Sequence, residues 1–158
     1  MQAAQNLSPE QRTEMIRGMV ESLAARLKDQ PDDVEGWRML ARSYRVLGEN
    51  AKAAEAAKQV ADRRPDDTAA QLGYAEALLA LEQEGAPLSS AAVDQFKRVA
   101  ELDVDNPEAL YFLGQAAAER GDPERARTYW QRLFAKMPAD APQRAELQKL
   151  IDQLGARD

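Results

Sequence analysis

Cysteine and histidine are both missing from this chain of 158 residues. Without a thiol there is no disulfide and no thiolate nucleophile. Without an imidazole there is neither the commonest metal ligand nor a side chain that titrates near neutral pH. The missing cysteine leaves the compartment open, but it makes the fold stand on packing alone. Aromatic residues are only 6% of the chain and runs of β-branched residues are nearly absent, which disfavours sheets. No apolar run approaches the ~18 residues of a membrane span. The opening "MQAAQNLSPEQ" lacks the basic and apolar regions of a secretory signal. Basic charge is also short: 21 Lys and Arg against 27 Asp and Glu leave a net charge of −6, which argues against nucleic acid held through its phosphates. What remains is 44% apolar and 30% charged, a mixture that favours helices.

Those helices repeat. With Val34 as position 1, Trp37 falls at 4, Leu40 at 7, Ala41 at 8, Tyr44 at 11, Ala53 at 20, Ala57 at 24, Val60 at 27 and Pro65 at 32. Starting again at Pro107, the same positions hold Leu110, Leu113, Gly114, Ala117, Ala126, Trp130, Leu133 and Pro138. Gly48 and Gly121 share position 15. Between the two units, the segment from Thr68 to Asn106 gives Tyr74, Ala75 and Leu78 from its start and Ala92, Phe96 and Val99 from its end. Its surplus of about five residues lies in the turn sequence "EQEGAPLSS". Three helix–turn–helix units in one register, with a terminal Pro, form the tetratricopeptide-repeat pattern. Small residues at 8 and 20 let paired helices approach, and bulky ones at 4, 7, 11 and 24 fill the space between them.

Flanking segments complete an all-α solenoid. Ser8, Pro9 and Gln11 have the spacing of an N-cap, a first-turn proline and a capping box. Met15, Met19, Leu23 and Leu27 follow at spacings of four, a stripe expected to pack on the helix of Trp37. Trp37 is then expected beneath both the lead helix and the first repeat. Gly18, within the lead helix, is expected at a close helix crossing. "PQRAELQKLIDQLG" predicts a closing helix that ends at Gly155. The expected organisation is a linker or added start at 1–7 and one domain over 8–158. Within that domain come a lead helix at 8–30, repeats at 34–67, 68–106 and 107–140, and a capping helix at 142–155.

No catalytic constellation stands out, and no cofactor or metal is expected. The acids of "QPDDVEG" and "RRPDDTAA", and Asn106 in "VDNPEA", read as helix N-caps and first-turn charges rather than ligands. The expected chemistry is binding, on the surface formed by the first helix of each repeat. From the first repeat this surface takes Arg38, Met39, Arg42 and Arg45, with the three arginines at i, i+4 and i+7. The second supplies Leu72, Glu76 and Leu79, and the third Tyr111, Phe112 and Gln115. Leu72, Leu79, Tyr111 and Phe112 are apolar where the array does not need them for its own core. Beside an arginine cluster they offer a groove for an amphipathic helix or an extended peptide. A clamp for C-terminal carboxylates does not fit, because Leu72, Tyr111 and Glu76 stand where it would need basic or amide groups.

The run "MIRGMVESLAARLKDQPDDVEGWRMLARSYRVLGE" over 15–49 resembles the soluble domain of the c-type cytochrome maturation proteins of the CcmI/CycH family. The likeness rests on the lead helix with "LAARL", the P-D-D turn, the "GW" and the "SY.VLG". It implies a periplasmic chaperone module of cytochrome c biogenesis, held at the inner membrane only through an N-terminal part absent from this sequence. It also implies the partners: the C-terminal helix of apocytochrome c, and subunits of the haem-ligation complex that receive it. A repeat adaptor for another partner, such as a nitrite-reductase haem-assembly subunit, remains the alternative.

Overall fold

Ser8 opens the first helix as its spacing predicts. Its hydroxyl accepts from the Gln11 N–H, while the Gln11 side chain accepts from the Ser8 N–H at 2.9 Å. In the computed structural model, which describes residues 8–155, this helix is followed by seven more, and the chain is an all-α tetratricopeptide-repeat fold. The helices are α1 (Pro9–Asp29), α2 (Val34–Val46), α3 (Asn50–Arg63), α4 (Thr68–Leu79), α5 (Ser90–Leu102), α6 (Pro107–Glu119), α7 (Pro123–Lys136) and α8 (Gln143–Leu154). The segment 1–7, expected as a linker, lies outside the described residues. Asp33, Asp67 and Asn106 cap α2, α4 and α6 through their side chains. Gly48 and Gly121, both at position 15, take φ values of 73° and 75°, left-handed conformations that a side chain would strain.

The chain divides into two compact units, Met1–Pro65 and Asp66–Asp158. In the first, α1, α2 and α3 share a core of Val20, Leu27, Leu40, Tyr44, Ala53 and Ala56. The stripe expected on α1 is corrected here: Leu23 and Leu27 pack inward with Val20, but Met15 and Met19 are 44% and 57% exposed. The cause is helical phase. At about 100° per residue, twelve positions from Met15 to Leu27 rotate the stripe by roughly 120°, whereas Val20 and Leu27 differ by only about 20°. The close crossing is also not at Gly18, where an added Cβ would meet nothing within 4 Å. It is at Gly36, where one would stand 2.6 Å from Leu27 Cδ2. Trp37 is half-buried at the edge of this core rather than beneath it. Its indole N–H donates to the Pro31 carbonyl at 2.8 Å, and the Arg63 guanidinium covers its ring at 5.8 Å.

The second unit holds two adjoining cores. Helices α4 to α6 enclose Ala75, Val93, Phe96, Val99, Ala109, Leu113 and Ala116. Helices α6 to α8 enclose Leu110, Ala117, Ala126, Trp130, Leu133, Leu147, Ile151 and Leu154. The large–small register is explicit at Gly114, where any Cβ would run into the Trp130 indole. The capping helix α8 is pinned at its start by Arg144. That guanidinium lies 3.7 Å from the Phe134 ring centre and donates to the carbonyls of Phe134 and Met137 at 2.9 and 2.7 Å. The lengthened turn of the middle repeat runs over 80–89 and bends at Gly85, with φ 77°. The Leu88 N–H reaches across it to donate to Glu119 on α6 at 3.0 Å.

Candidate peptide-binding surfaces

In the first unit the predicted residues lie along α2, and the structure treats the three arginines differently. Arg38 is half-buried, its Nε 3.5 Å from the Glu35 carboxylate one turn earlier. Arg42 and Arg45 are exposed, and Arg42 makes no ion pair among the described residues. Met39, between Arg38 and Arg42 in sequence, is 61% exposed. The free cationic character of this face therefore rests on Arg42 more than on a cluster of three.

A feature that the repeat positions did not identify adjoins this face. Met15, Ile16, Met19 and Leu23 of α1 and Met39 of α2 line an open cleft of about 950 Å³, with Ser22, Arg26 and Ser43 among its polar lining. Repeat positions describe only helices inside a repeat, so they are silent on what the lead helix presents. The available signal was the surplus of apolar residues on α1: Met15, Ile16, Met19, Val20, Leu23 and Leu27 are more than one packing stripe can use.

The predicted residues of the second unit come from α4 and α6. Leu72, Leu79 and Phe112 are half-buried against the core around Phe96. Phe112 stacks on the Phe96 ring at 4.9 Å and 26°. The expectation that the core does not need them is corrected accordingly, since all three pack on this cluster and Phe112 covers Phe96, which is fully buried. Tyr111 is the more exposed aromatic at 37%, standing edge-on to Phe112 with ring centres 5.1 Å apart. Its backbone is fixed from behind, because its carbonyl accepts from the Trp130 indole N–H at 3.0 Å. Gln115 donates to Glu119 at 2.8 Å, and Glu119 also receives Leu88, so α6 holds the lengthened turn through that carboxylate. Glu76 on α4 and Glu108 on α6 share a hydrogen bond. Burial, and then the Glu76 charge, push the Glu108 carboxyl above its ordinary range.

Among the described residues no group of three or more acidic side chains is placed to hold a metal ion. No helix among them is long and apolar enough to cross a membrane. What the surfaces offer is exposed methionine, one exposed tyrosine and unneutralised arginine, the groups that anchor a bound polypeptide.

The family model described as the cytochrome c-type biogenesis protein H TPR domain matches residues 1–144. The cytochrome c-type biogenesis protein CycH of Bradyrhizobium diazoefficiens is 31% identical over 140 residues, 89% of this chain and 37% of that protein. The cytochrome c-type biogenesis protein CcmH of Escherichia coli (strain K12) is 27% identical over 150 residues, 95% of this chain and 41% of that one. The chain thus spans about two-fifths of the length of these relatives. Among solved structures, MamA superposes with a TM-score of 0.64 at 20% identity, over 93% of this chain and 81% of that one. PcrH, solved in complex with the chaperone binding region of PopD, gives 0.62 at 19% identity, over 80% and 93%. At such identities the structural likeness shows the fold alone.

Proposed function

Because the chain belongs to the family of tetratricopeptide-repeat domains of cytochrome c-type biogenesis protein H, we propose that it is a client-holding module of cytochrome c maturation. In this reading it binds apocytochrome c, chiefly through the C-terminal helix of that client, and presents it to the haem-ligation complex. The work is done in the periplasm, with tethering to the inner membrane supplied by a part of the protein outside this chain. The exposed groups serve binding rather than turnover.

The observation that carries the reading is the placement of anchors on the first helices of the repeats. Met39 and Tyr111 are 61% and 37% exposed on α2 and α6, helices that turn Leu40, Tyr44, Leu110 and Leu113 inward, and Arg42 stands beside Met39 without an ion pair among the described residues. On either unit an amphipathic helix supplies an apolar stripe to cover the exposed side chain, and on the first it supplies carboxylates to meet the guanidinium. The test is calorimetric titration of the chain with a peptide from the C-terminal helix of a c-type cytochrome, beside a scrambled peptide of the same composition. A micromolar complex corresponds to about 8 kcal/mol. Selective binding of the native order supports the reading, and equal binding of both peptides refutes it.

A further inference from the structure

The cleft between α1 and α2 leaves a group of large apolar side chains in water. Met15, Ile16, Met19 and Met39 are 44%, 39%, 57% and 61% exposed, and Val46, two turns beyond Met39 on the same side of α2, is 79% exposed. We propose that this cleft is the seat of an amphipathic helix that carries carboxylates beside its apolar stripe. The inference rests on the client-holding reading and names where in the first unit the client's helix lies.

Three observations select that occupant. The first is charge. Among the described residues, the ionic group lining the cleft is a cation, Arg26, held by Asp33 at 3.1 Å. Arg42 follows one turn after Met39, exposed and without an ion pair among the described residues. An apolar seat edged by arginine favours a helix that carries carboxylates. The second is size. Five part-exposed side chains make a patch on the order of a few hundred Å², the scale of an interaction site. A stable pair of globular copies buries about 800 Å² on each partner. The patch suits two or three turns of helix, with anchors at i, i+3 or i+4, and i+7. The third is composition. Three of the exposed lining residues are methionines, whose unbranched and polarisable side chains repack around different apolar stripes without a fixed shape.

The test titrates the full chain with two probes. One is the cytochrome C-terminal-helix peptide. The other is a designed amphipathic helix with a leucine stripe and flanking glutamates. Met19→Glu puts a charge on the cleft floor at a position already in water, so the melting temperature should hold while affinity for both peptides falls by about tenfold or more. Arg42→Glu should weaken the glutamate peptide several-fold and strengthen its lysine-substituted counterpart, a reversal that loss of packing alone does not produce. If the unaltered chain binds the peptides and both variants bind them equally well, the cleft is overturned as the seat while the client-holding reading stands. If the cytochrome peptide binds no better than its scramble but the designed helix binds in a Met19-dependent way, the reading of the client fails and the cleft's chemistry stands. If neither peptide binds, or if sedimentation shows a dimer that Met19→Glu dissociates, the proposal is overturned.

Discussion

Replacing each tryptophan by alanine separates a side chain inside its core from one at the rim. Trp130 is 4% exposed, lies among Leu110, Ala126, Leu133 and Ile151, and donates to the Tyr111 carbonyl at 3.0 Å. Truncating such a core aromatic costs about 3–5 kcal/mol. Leaving the carbonyl without its donor adds about 1 kcal/mol. Trp130→Ala should therefore cost about 4–6 kcal/mol. Trp37 is half-buried, and the Pro31 carbonyl that accepts from its indole lies at an exposed turn where water can replace it. Trp37→Ala should cost about 2 kcal/mol, since less apolar area leaves water and no buried group is stranded. At roughly 2–4 °C per kcal/mol for a chain of this length, Trp130→Ala should lower the melting temperature by about 10 °C or more, and Trp37→Ala by about half as much. Circular dichroism melts of the two variants beside the parent make the measurement. A Trp37 variant that melts at or below the Trp130 variant refutes the assignment of rim and core.

Two glycines should respond with opposite signs. Gly114→Ala drives a methyl group into the Trp130 ring and should destabilise by about 1–3 kcal/mol. Gly18→Ala meets open space within α1 and should stabilise by about 1 kcal/mol; equal melting temperatures in the two variants contradict the packing. Glu108 has a pKa raised above its ordinary 4.5 by burial and by Glu76, so its contribution to stability is full below that ordinary value and is lost as pH rises through the folded value. Glu108→Gln should accordingly raise the melting temperature at neutral pH, with the gain vanishing on acidification below the ordinary value; a gain that does not change with pH refutes the linkage. Tyr111→Ala should weaken client binding by about 1–3 kcal/mol with little change in melting, whereas Phe112→Ala should lower both, because its ring covers Phe96. Thermal melts paired with titrations distinguish the two, and a Phe112 variant with parental stability would show the ring is not part of the core.

The fold was legible wherever a local rule determines a local structure. Ser8 with Gln11, Asp33, Asp67 and Asn106 cap helices because a short polar side chain before an apolar period can do little else. Gly48 and Gly121 mark left-handed turns because other residues resist them. The Gly114–Trp130 contact follows from the large–small register. Most of the failures concern which way a helix face turns. Four-residue spacing drew Met15 and Leu27 into one stripe, although helical phase sets them far apart, and this hid the cleft. Leu72, Leu79 and Phe112 occupy positions that usually face a groove, yet whether they are free depends on the size of the neighbouring core. Around Phe96 that core extends far enough to claim them. Arg38, Arg42 and Arg45 look alike in sequence, but Arg38 is half-buried beside the Glu35 carboxylate while Arg42 stands exposed.

Each hydrophobic cluster is drawn from helices that follow one another along the chain: α1 to α3, α4 to α6, and α6 to α8. The consequence is kinetic. Contacts between sequence neighbours need only short loops to close, so each unit can assemble quickly and open in parts. The last helix, α8, buries Leu147, Ile151 and Leu154 at one end of its unit. Its opening leaves the cluster around Phe96 intact. Amide hydrogens of α8 should therefore exchange with solvent well before those of α5, where Phe96 and Val99 are fully buried. Each cluster can thus open without the others coming apart.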